Sequence, residues 1–176
     1  NFYDKVNTNY EKIDILVNNA GTIQNSLFQM TPLKKLNETF KINFFNQIYL
    51  SQLIVKKMQK NKKGSIINVS STSAIEGNIG RLSYASSKSS LITASKVMSR
   101  ELGQFGIRVN SICPGLTNTD MMINNTDKKI LSEIIGRLNL KRIAEPNEIA
   151  NVIAFLASDL SSYLTGENII VDGGLT

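Results

Sequence analysis

The sequence predicts an α/β fold in which a doubly wound parallel sheet lies between two layers of helices. Two observations predict this fold. Four short apolar runs rich in β-branched residues end in turn residues, and stretches with helical periodicity separate these runs along the chain. Strands that alternate with helices form right-handed β-α-β units, so the strands are parallel and helices cover both faces of the sheet.

The four predicted strands span residues 13–17, 65–69, 107–112 and 168–171. Each is followed by a polar or glycine-containing segment, and these segments are residues 18–21, 70–71, 114–115 and 172–174. The carboxyl ends of parallel strands meet at one edge of the sheet, where ligands of such folds bind. We therefore expect the chemistry of the protein at this edge.

Three helical segments separate the strands. Thr31 and Pro32 predict a helix start, with a capping hydroxyl followed by proline at the first helical position. The pattern continues towards Met58, which is long enough for a bend or for two consecutive helices. A second helix is predicted over residues 83–102, and a third begins at Pro146. Apolar residues of the third helix recur at the spacing of one buried face: Ile149, Val152, Ile153 and Leu156.

The composition excludes several classes of function for what we expect to be one domain of 176 residues. Without histidine, the chain has no serine–histidine hydrolase site and no histidine-ligated metal, and no metal site is expected. Half of the basic residues lie in segments 56–63 and 128–142 without a nucleic-acid motif, so the net charge of +6 is interpreted as solvated surface. No apolar run reaches the ~20 residues that span a bilayer. One cysteine, Cys113, is interpreted as structural and favours a reducing, cytoplasmic location.

Tyr84 and Lys88 carry the first sign of chemistry. Residues four apart on a helix lie on the same face, one turn apart. A tyrosine has an ordinary pKa of ~10, and a nearby ammonium group is expected to lower that pKa towards neutrality. Ser71 stands thirteen positions before Tyr84, at the end of a predicted strand, where its hydroxyl and the phenol can meet over one substrate oxygen. Ser70 is an alternative for the serine, although the spacing favours Ser71.

The motifs taken in order resemble those of the short-chain dehydrogenase/reductase family. They are Asn18-Asn19-Ala20-Gly21, Asn43, Ser71, Tyr84, Lys88, Pro114-Gly115 and the terminal Val171-Asp172-Gly173-Gly174. The resemblance covers essentially the whole chain, and its spacing is most similar to 3-oxoacyl-[acyl-carrier-protein] reductases. It implies a Rossmann-like, three-layer α/β/α domain of which residues 1–176 form the C-terminal part. The first strands and the glycine-rich phosphate loop of the family are expected before this part.

The resemblance also implies roles for four catalytic residues. Tyr84 would be the general acid of carbonyl reduction, while the nicotinamide gives a hydride. Lys88 would hold the hydroxyls of the nicotinamide ribose and lower the pKa of Tyr84. Ser71 would donate a hydrogen bond to the substrate oxygen. Asn43 would help to hold a water that relays protons to Lys88.

The cofactor implied by the resemblance is NADP or NAD, with NADP favoured. The residues expected to contact it are Asn18, Asn19, Ala20, Gly21, Tyr84, Lys88, Pro114, Gly115, Thr117 and Thr119. Residues 116–142, called the lid segment below, match the region that covers the substrate in the family. The expected substrate is a carbonyl compound, small or bound to an acyl carrier. Alternatives are a sugar or secondary-alcohol dehydrogenase, or an inactive fragment or non-catalytic binding protein.

Two expectations concern the whole molecule. The fourth strand of the family lies beside its first, so residues 13–17 are expected to form an unpaired apolar edge in this chain. Family members are commonly tetramers that pair through two long helices and through the C-terminal strand region. The resemblance therefore implies a homotetramer.

Overall fold

The computed structural model describes residues 8–176, and of Lys128 the backbone only. Its sheet contains four parallel strands in the order β1-β2-β3-β4. They are β1 (Ile15–Asn18), β2 (Gly64–Val69), β3 (Ile107–Pro114) and β4 (Asn168–Val171). The register pairs Leu16 with Ile66 and Ile66 with Val109, so aliphatic rows run across the sheet. The prediction of a parallel α/β sheet is confirmed, with β1 beginning two residues later than expected.

Seven α-helices lie among the described residues. They are α1 (Leu33–Phe40), α2 (Asn46–Asn61), α3 (Ser73–Glu76), α4 (Leu82–Leu102), α5 (Asp120–Asn125), α6 (Lys128–Arg137) and α7 (Pro146–Ala157). A π-helical turn, Lys41–Phe45, joins α1 to α2, and short 3₁₀ turns cover Phe28–Met30, Gly103–Phe105 and Asp159–Ser161. In the described part of the chain, no helix has the length and apolar character needed to cross a membrane.

Two hydrophobic cores, one on each face of the sheet, create the three layers. On one face Ile54 and Met58 of α2 and Leu102 of α4 pack against Ile66 and Val109. On the other face a second cluster joins β2, β3 and α7, and it contains Ile67, Val69, Ile112, Ile149 and Leu156. Val152 and Ile153 are partly buried against this second cluster, which confirms the predicted apolar face of α7.

The first helix begins differently from the prediction. Pro32 is the N-cap of α1, with extended backbone angles, and not its first helical residue. The Thr31 hydroxyl does not cap α1, because it donates to the carbonyl of Leu27 at 2.9 Å. The 3₁₀ turn immediately before Thr31 supplies that carbonyl, so the threonine closes this turn. Of the two predicted possibilities, a bend or two consecutive helices, the structure has two helices, which the π-helical turn joins.

The β1 strand lies at the edge of the sheet in residues 8–176, where β2 is its only partner strand. Leu16 packs against the first core, whereas Ile15 and Val17 point to the other face and are 48% and 38% exposed. The described residues thus contain the apolar edge that the sequence predicted.

Candidate active site

Three segments bring the predicted catalytic residues to the carboxyl edge of the sheet, and a fourth brings Gly21. Ser71 follows β2, and Tyr84 and Lys88 lie in the first two turns of α4. Asn43 lies in the π-helical turn, which is a local form that often marks functional sites. Gly21 follows β1 and lies above Lys88, because a Cβ atom built on this glycine would stand 3.3 Å from Lys88 Nζ.

The hydroxyl groups of Tyr84 and Ser71 lie within hydrogen-bonding reach of each other. Burial raises the pKa of Tyr84 above its ordinary value, although the Ser71 hydroxyl and the Arg81 guanidinium both lower it. Ser70 does not share this position, since its hydroxyl is buried and donates to the Lys88 carbonyl at 2.8 Å. The structure therefore brings Ser71, and not Ser70, to the phenol.

Lys88 is not among the groups that act on the pKa of Tyr84 in this structure, so its expected lowering of that pKa stays a prediction. Lys88 Nζ donates to the Val69 carbonyl at 2.7 Å, so the ammonium points towards the end of β2. The groups that lower the tyrosine pKa are instead Ser71 and Arg81. Lys88 is itself only 3% exposed, and burial lowers its pKa to about 8, against a smaller raising effect of Cys113.

Asn43 is fully buried and joins three segments of the chain. Its Oδ1 accepts from the Thr22 N–H at 2.8 Å, and its Nδ2 donates to the Thr22 carbonyl at 2.9 Å. The same Nδ2 donates to Ser87 Oγ at 3.0 Å, and Ser87 in turn donates to the Tyr84 carbonyl at 2.8 Å. Asn43 thus fixes the loop after β1 against the first turn of α4. Its expected part in holding a water stays a prediction.

The four residues of the Asn-Asn-Ala-Gly motif, Asn18 to Gly21, occupy different environments. Asn18 is buried, and its Nδ2 donates to Ser51 Oγ at 2.9 Å and to Asn68 Oδ1 at 2.8 Å, inside the sheet. Asn19 and Ala20 are exposed at the carboxyl edge, and Gln47 donates to the Ala20 carbonyl. The side chain of Asn18 is therefore committed to the protein interior, whereas the cofactor contacts of Asn19, Ala20 and Gly21 stay predictions.

Pro114 and Gly115 form the corresponding end of β3. The Pro114 carbonyl accepts from the Thr72 N–H at 3.1 Å, and the Gly115 N–H donates to the Val171 carbonyl at 2.9 Å. A Cβ on Gly115 would stand 2.8 Å from Asp172 Cα, which is too close for any larger residue without a backbone shift. This glycine permits the ends of β3 and β4 to approach each other.

The lid segment begins at this same edge. Thr117 forms an isolated parallel bridge with Ala144. The hydrogen bonds of this bridge run from the Asn118 N–H to the Ala144 carbonyl and from the Ala144 N–H to the Leu116 carbonyl. Backbone groups alternate in direction along an extended chain, so those of Thr117 face away from Ala144. The Thr119 hydroxyl caps α5 by accepting from the Met122 N–H at 3.3 Å, which commits it to the helix start.

Several polar residues at the site were not identified from the sequence. Gln47 and Ser87 contact predicted residues of distant segments, namely Ala20 and Asn43. Arg81 lies three residues before Tyr84, and its guanidinium reaches the distant Asn125 carbonyl. One signal was available for Asn68, which is a polar residue within an apolar strand and is fully buried. Its Nδ2 donates to Ser95 Oγ at 2.8 Å.

The residues at this edge fit the nicotinamide half of a dinucleotide. An ammonium group has three N–H donors, and the described contacts of Lys88 use one of them, on Val69. The remaining donors suit ribose hydroxyls, and the absence of a side chain at Gly21 leaves room beside Lys88 Nζ for such a group. The glycine-rich loop that would hold the pyrophosphate does not occur in the 176 residues.

Comparisons with known proteins agree with this arrangement. A family model described as enoyl-(acyl carrier protein) reductase matches residues 1–176. The 3-oxoacyl-[acyl-carrier-protein] reductase FabG of Thermotoga maritima is 40% identical over 172 residues, which cover 98% of this chain and 70% of that protein. FabG of Escherichia coli (strain K12) is 36% identical with the same coverage. The crystal structure of NAD⁺-bound xylitol dehydrogenase superposes with a TM-score of 0.92 at 28% identity, covering 98% of this chain and 73% of that chain.

These relatives align with nearly the whole chain, and the xylitol dehydrogenase structure shares its fold. The serine, tyrosine and lysine that the motifs singled out meet at one edge of that sheet. We conclude that this chain belongs to the short-chain dehydrogenase/reductase family of NAD(P)-dependent oxidoreductases.

Proposed function

We propose that this chain carries the catalytic residues of a 3-oxoacyl-[acyl-carrier-protein] reductase. The observation that carries the proposal is the pairing of the Ser71 and Tyr84 hydroxyls at the carboxyl edge of the sheet. Two adjacent O–H donors can both bind one carbonyl oxygen, which gains negative charge when the carbonyl is reduced. The 36–40% identity to FabG proteins over nearly the whole chain supports the 3-oxoacyl substrate.

In the proposed reaction, Tyr84 transfers its phenolic proton to the carbonyl oxygen while Ser71 donates a hydrogen bond to the same oxygen. When bound, the reduced nicotinamide supplies the hydride that the carbonyl carbon receives. The products are a 3-hydroxyacyl group, the oxidised cofactor and the Tyr84 phenolate, which regains its proton from solvent. The phenol of Tyr84 is protonated at neutral pH, as a proton donor must be, and the Ser71 hydroxyl and the Arg81 guanidinium counteract the raising effect of burial on its pKa.

A dehydrogenase of a sugar or secondary alcohol is the second candidate function. The similarity to a xylitol dehydrogenase structure favours it, with a TM-score of 0.92. The chemistry would be the same reaction in reverse, in which Tyr84 accepts the hydroxyl proton. The two candidates differ in the substrate that the lid segment admits.

Replacement of Tyr84 tests the proposed mechanism. We expect Tyr84→Phe in the full-length protein to lower the turnover of an acetoacetyl thioester by about 10³-fold, while NADPH or NADH binding followed by cofactor fluorescence is retained. Tyr10→Phe is the matched control, since Tyr10 is 60% exposed and lies away from the site. Unchanged turnover in Tyr84→Phe would remove the mechanism.

The turnover of different substrates by the full-length protein without substitutions, called the parent below, separates the two candidate functions. Preferred turnover of the 3-oxoacyl thioester supports the proposal, whereas preferred oxidation of polyols with NAD⁺ supports the second candidate. Reduction of an enoyl thioester alone would instead match the description of the family model. No turnover with any of these would indicate a non-catalytic protein. A lower KM for NADPH than for NADH would confirm the proposed preference for NADP.

Two further features of the whole protein are part of the proposal. A cytoplasmic location fits the one cysteine, which is free and buried. A homotetramer is supported by two exposed apolar surfaces. One contains Phe45 of the π-helical turn, Tyr49 of α2 and Val97 of α4, and the other contains Leu160, Tyr163 and Ile170 near the C-terminal strand. A molar mass measured by light scattering tests the tetramer directly.

A further inference from the structure

Arg81 stands at a junction between the lid segment and the catalytic helix. It is the N-cap of α4, and its carbonyl accepts from the Ala85 N–H at 2.7 Å. It also forms an isolated parallel bridge with Ser26, and the adjacent Gly80 carbonyl accepts from the Ser26 N–H at 2.9 Å. The backbone of Arg81 is therefore held from two sides before its side chain makes any contact.

The guanidinium of Arg81 reaches the last residue of the lid helix α5. Nη2 donates to the Asn125 carbonyl at 3.2 Å, and Asn25 Nδ2 lies 3.5 Å from the same oxygen. The final carbonyls of a helix lack partners within the helix and carry partial negative charge, so a cation is favoured there. Arginine supplies such a cation at any pH at which the protein is folded.

The α5 helix has few other means of attachment. None of its six residues is buried, and Met121 and Ile123 are 38% and 59% exposed. Its first turn is held by the Thr119 cap, and its last residue accepts from Arg81. With so little apolar burial, the position of this helix depends strongly on these polar contacts.

The same guanidinium acts on Tyr84. Arg81 precedes Tyr84 by three residues at the start of α4. The positive charge of Arg81 lowers the pKa of the phenol, against the larger raising effect of burial. The other groups that act on the phenol are the Ser71 hydroxyl and Cys113 on β3, while the Lys88 ammonium is turned towards Val69.

We propose that Arg81 is a positioning residue that couples the lid to catalysis, because one guanidinium holds the Asn125 carbonyl of the lid helix and places its charge beside Tyr84. The inference rests on the proposed function, since it concerns the same tyrosine. It adds a residue between the lid and the general acid to the set of Ser71, Tyr84 and Lys88. When α5 is in place, its Asn125 carbonyl holds the Arg81 guanidinium beside the Tyr84 phenol. Loss of this hydrogen bond frees both α5 and the guanidinium to move.

The test compares Arg81→Met and Arg81→Lys with Arg100→Met in the full-length protein. Arg100 is a matched control, because it lies on the same helix, is exposed, and is sixteen residues from Tyr84. We expect Arg81→Met to lower kcat/KM by about tenfold or more, the effect of losing one charged hydrogen bond. The fall in reductase activity at alkaline pH should move to higher pH, since the phenol loses a stabilising charge on its anion. Arg81→Lys should restore the pH profile more fully than it restores KM.

A second readout does not depend on activity. Limited proteolysis should cleave the segment 119–126 faster in Arg81→Met than in Arg100→Met, because the lid helix has lost its tether. This readout also applies if the parent has no reductase activity, which would overturn the proposed function alone. An active parent with unchanged pH profile and unchanged cleavage in Arg81→Met would overturn the coupling. A fall in kcat/KM without a shift of the pH profile would overturn it as well.

Discussion

At the scale of single residues, burial controls the acid–base properties of the site more than neighbouring charge does. Tyr84 and Lys88 lie four positions apart, yet the lysine turns its ammonium to a backbone carbonyl and leaves the phenol to Ser71 and Arg81. Desolvation disfavours the charged form of each group, so it raises the pKa of the phenol and lowers that of the ammonium. Both groups are thereby held closer to their neutral forms.

The buried Lys88 predicts a pH dependence of stability. Its pKa falls from 10.5 to about 8 in the folded chain, so between pH 8 and pH 10.5 the unfolded state holds a proton that the folded state has lost. Stability rises with pH wherever the unfolded state binds more protons. Relative to Lys88→Met, the free energy of unfolding of the parent should therefore rise across this window, by as much as about 3 kcal/mol. Below pH 8 the difference should be constant.

Denaturant unfolding of both proteins at several pH values measures this difference. Lys96→Met is the matched control, since Lys96 lies on the same helix and is exposed. The difference between the parent and this control should not change with pH. A flat difference for Lys88→Met as well would show that the ammonium is better solvated than its burial indicates.

At the scale of elements, a buried amide network joins two strands to two helices. It consists of Asn18 on β1, Asn68 on β2, Ser51 on α2 and Ser95 on α4. All four side chains are at most 3% exposed, and each hydrogen bond links different elements. A satisfied polar network of this kind fixes one arrangement of the elements, because any slip leaves a buried donor without an acceptor.

Asn68 is the central member of this network and predicts a stability effect. Asn68→Ala removes the acceptor of Asn18 and the donor to Ser95, so we expect the free energy of unfolding to fall by about 2 kcal/mol or more. Urea unfolding followed by circular dichroism measures the change. Asn151→Ala, at an exposed position of α7, should change it little. Equal losses in the two variants would mean that the network adds nothing beyond an ordinary surface asparagine.

The sequence predicted the elements better than their contacts. All four strands lie within two residues of the β-branched runs, because burial on both faces of a parallel sheet requires such runs. The prediction that the Thr31 hydroxyl caps α1 was wrong, because this hydroxyl donates to a carbonyl of the preceding 3₁₀ turn. Ser71, Tyr84 and Lys88 were identified from spacing and resemblance. Arg81 was not, because its partner Asn125 is 44 residues away and no local pattern links them.

At the scale of the whole molecule, the described sheet ends in an apolar strand. Ile15 and Val17 are partly exposed on the face of β1 that no described helix covers, and the chain spans about 70% of the length of its FabG relatives. An edge strand of this kind presents unpaired backbone groups to other chains. Association through β1 is therefore the expected behaviour of the 176-residue chain on its own.

A charge on this strand should reduce that association. We expect Val17→Lys to lower light scattering of the 176-residue chain at a given concentration, because a charged side chain on an edge strand opposes pairing with another edge. Ile79→Lys adds the same charge at a position that is 91% exposed between α3 and α4. Equal reduction by both substitutions would assign the effect to net charge and not to β1.

The burial of Cys113 makes its thiol a probe of local opening in the sheet. Its sulfur is fully enclosed in β3, contacts Asn168 Oδ1 of β4 at 3.2 Å, and acts electrostatically on both Tyr84 and Lys88. The chain has no other thiol, so every molecule that reacts with a thiol reagent has done so at this one position. Because the thiol is enclosed between β3 and β4, its labelling rate should report how often these strands separate near Tyr84. A ligand that binds at that edge should slow the labelling of Cys113. Its binding can then be measured from the labelling rate, without any turnover.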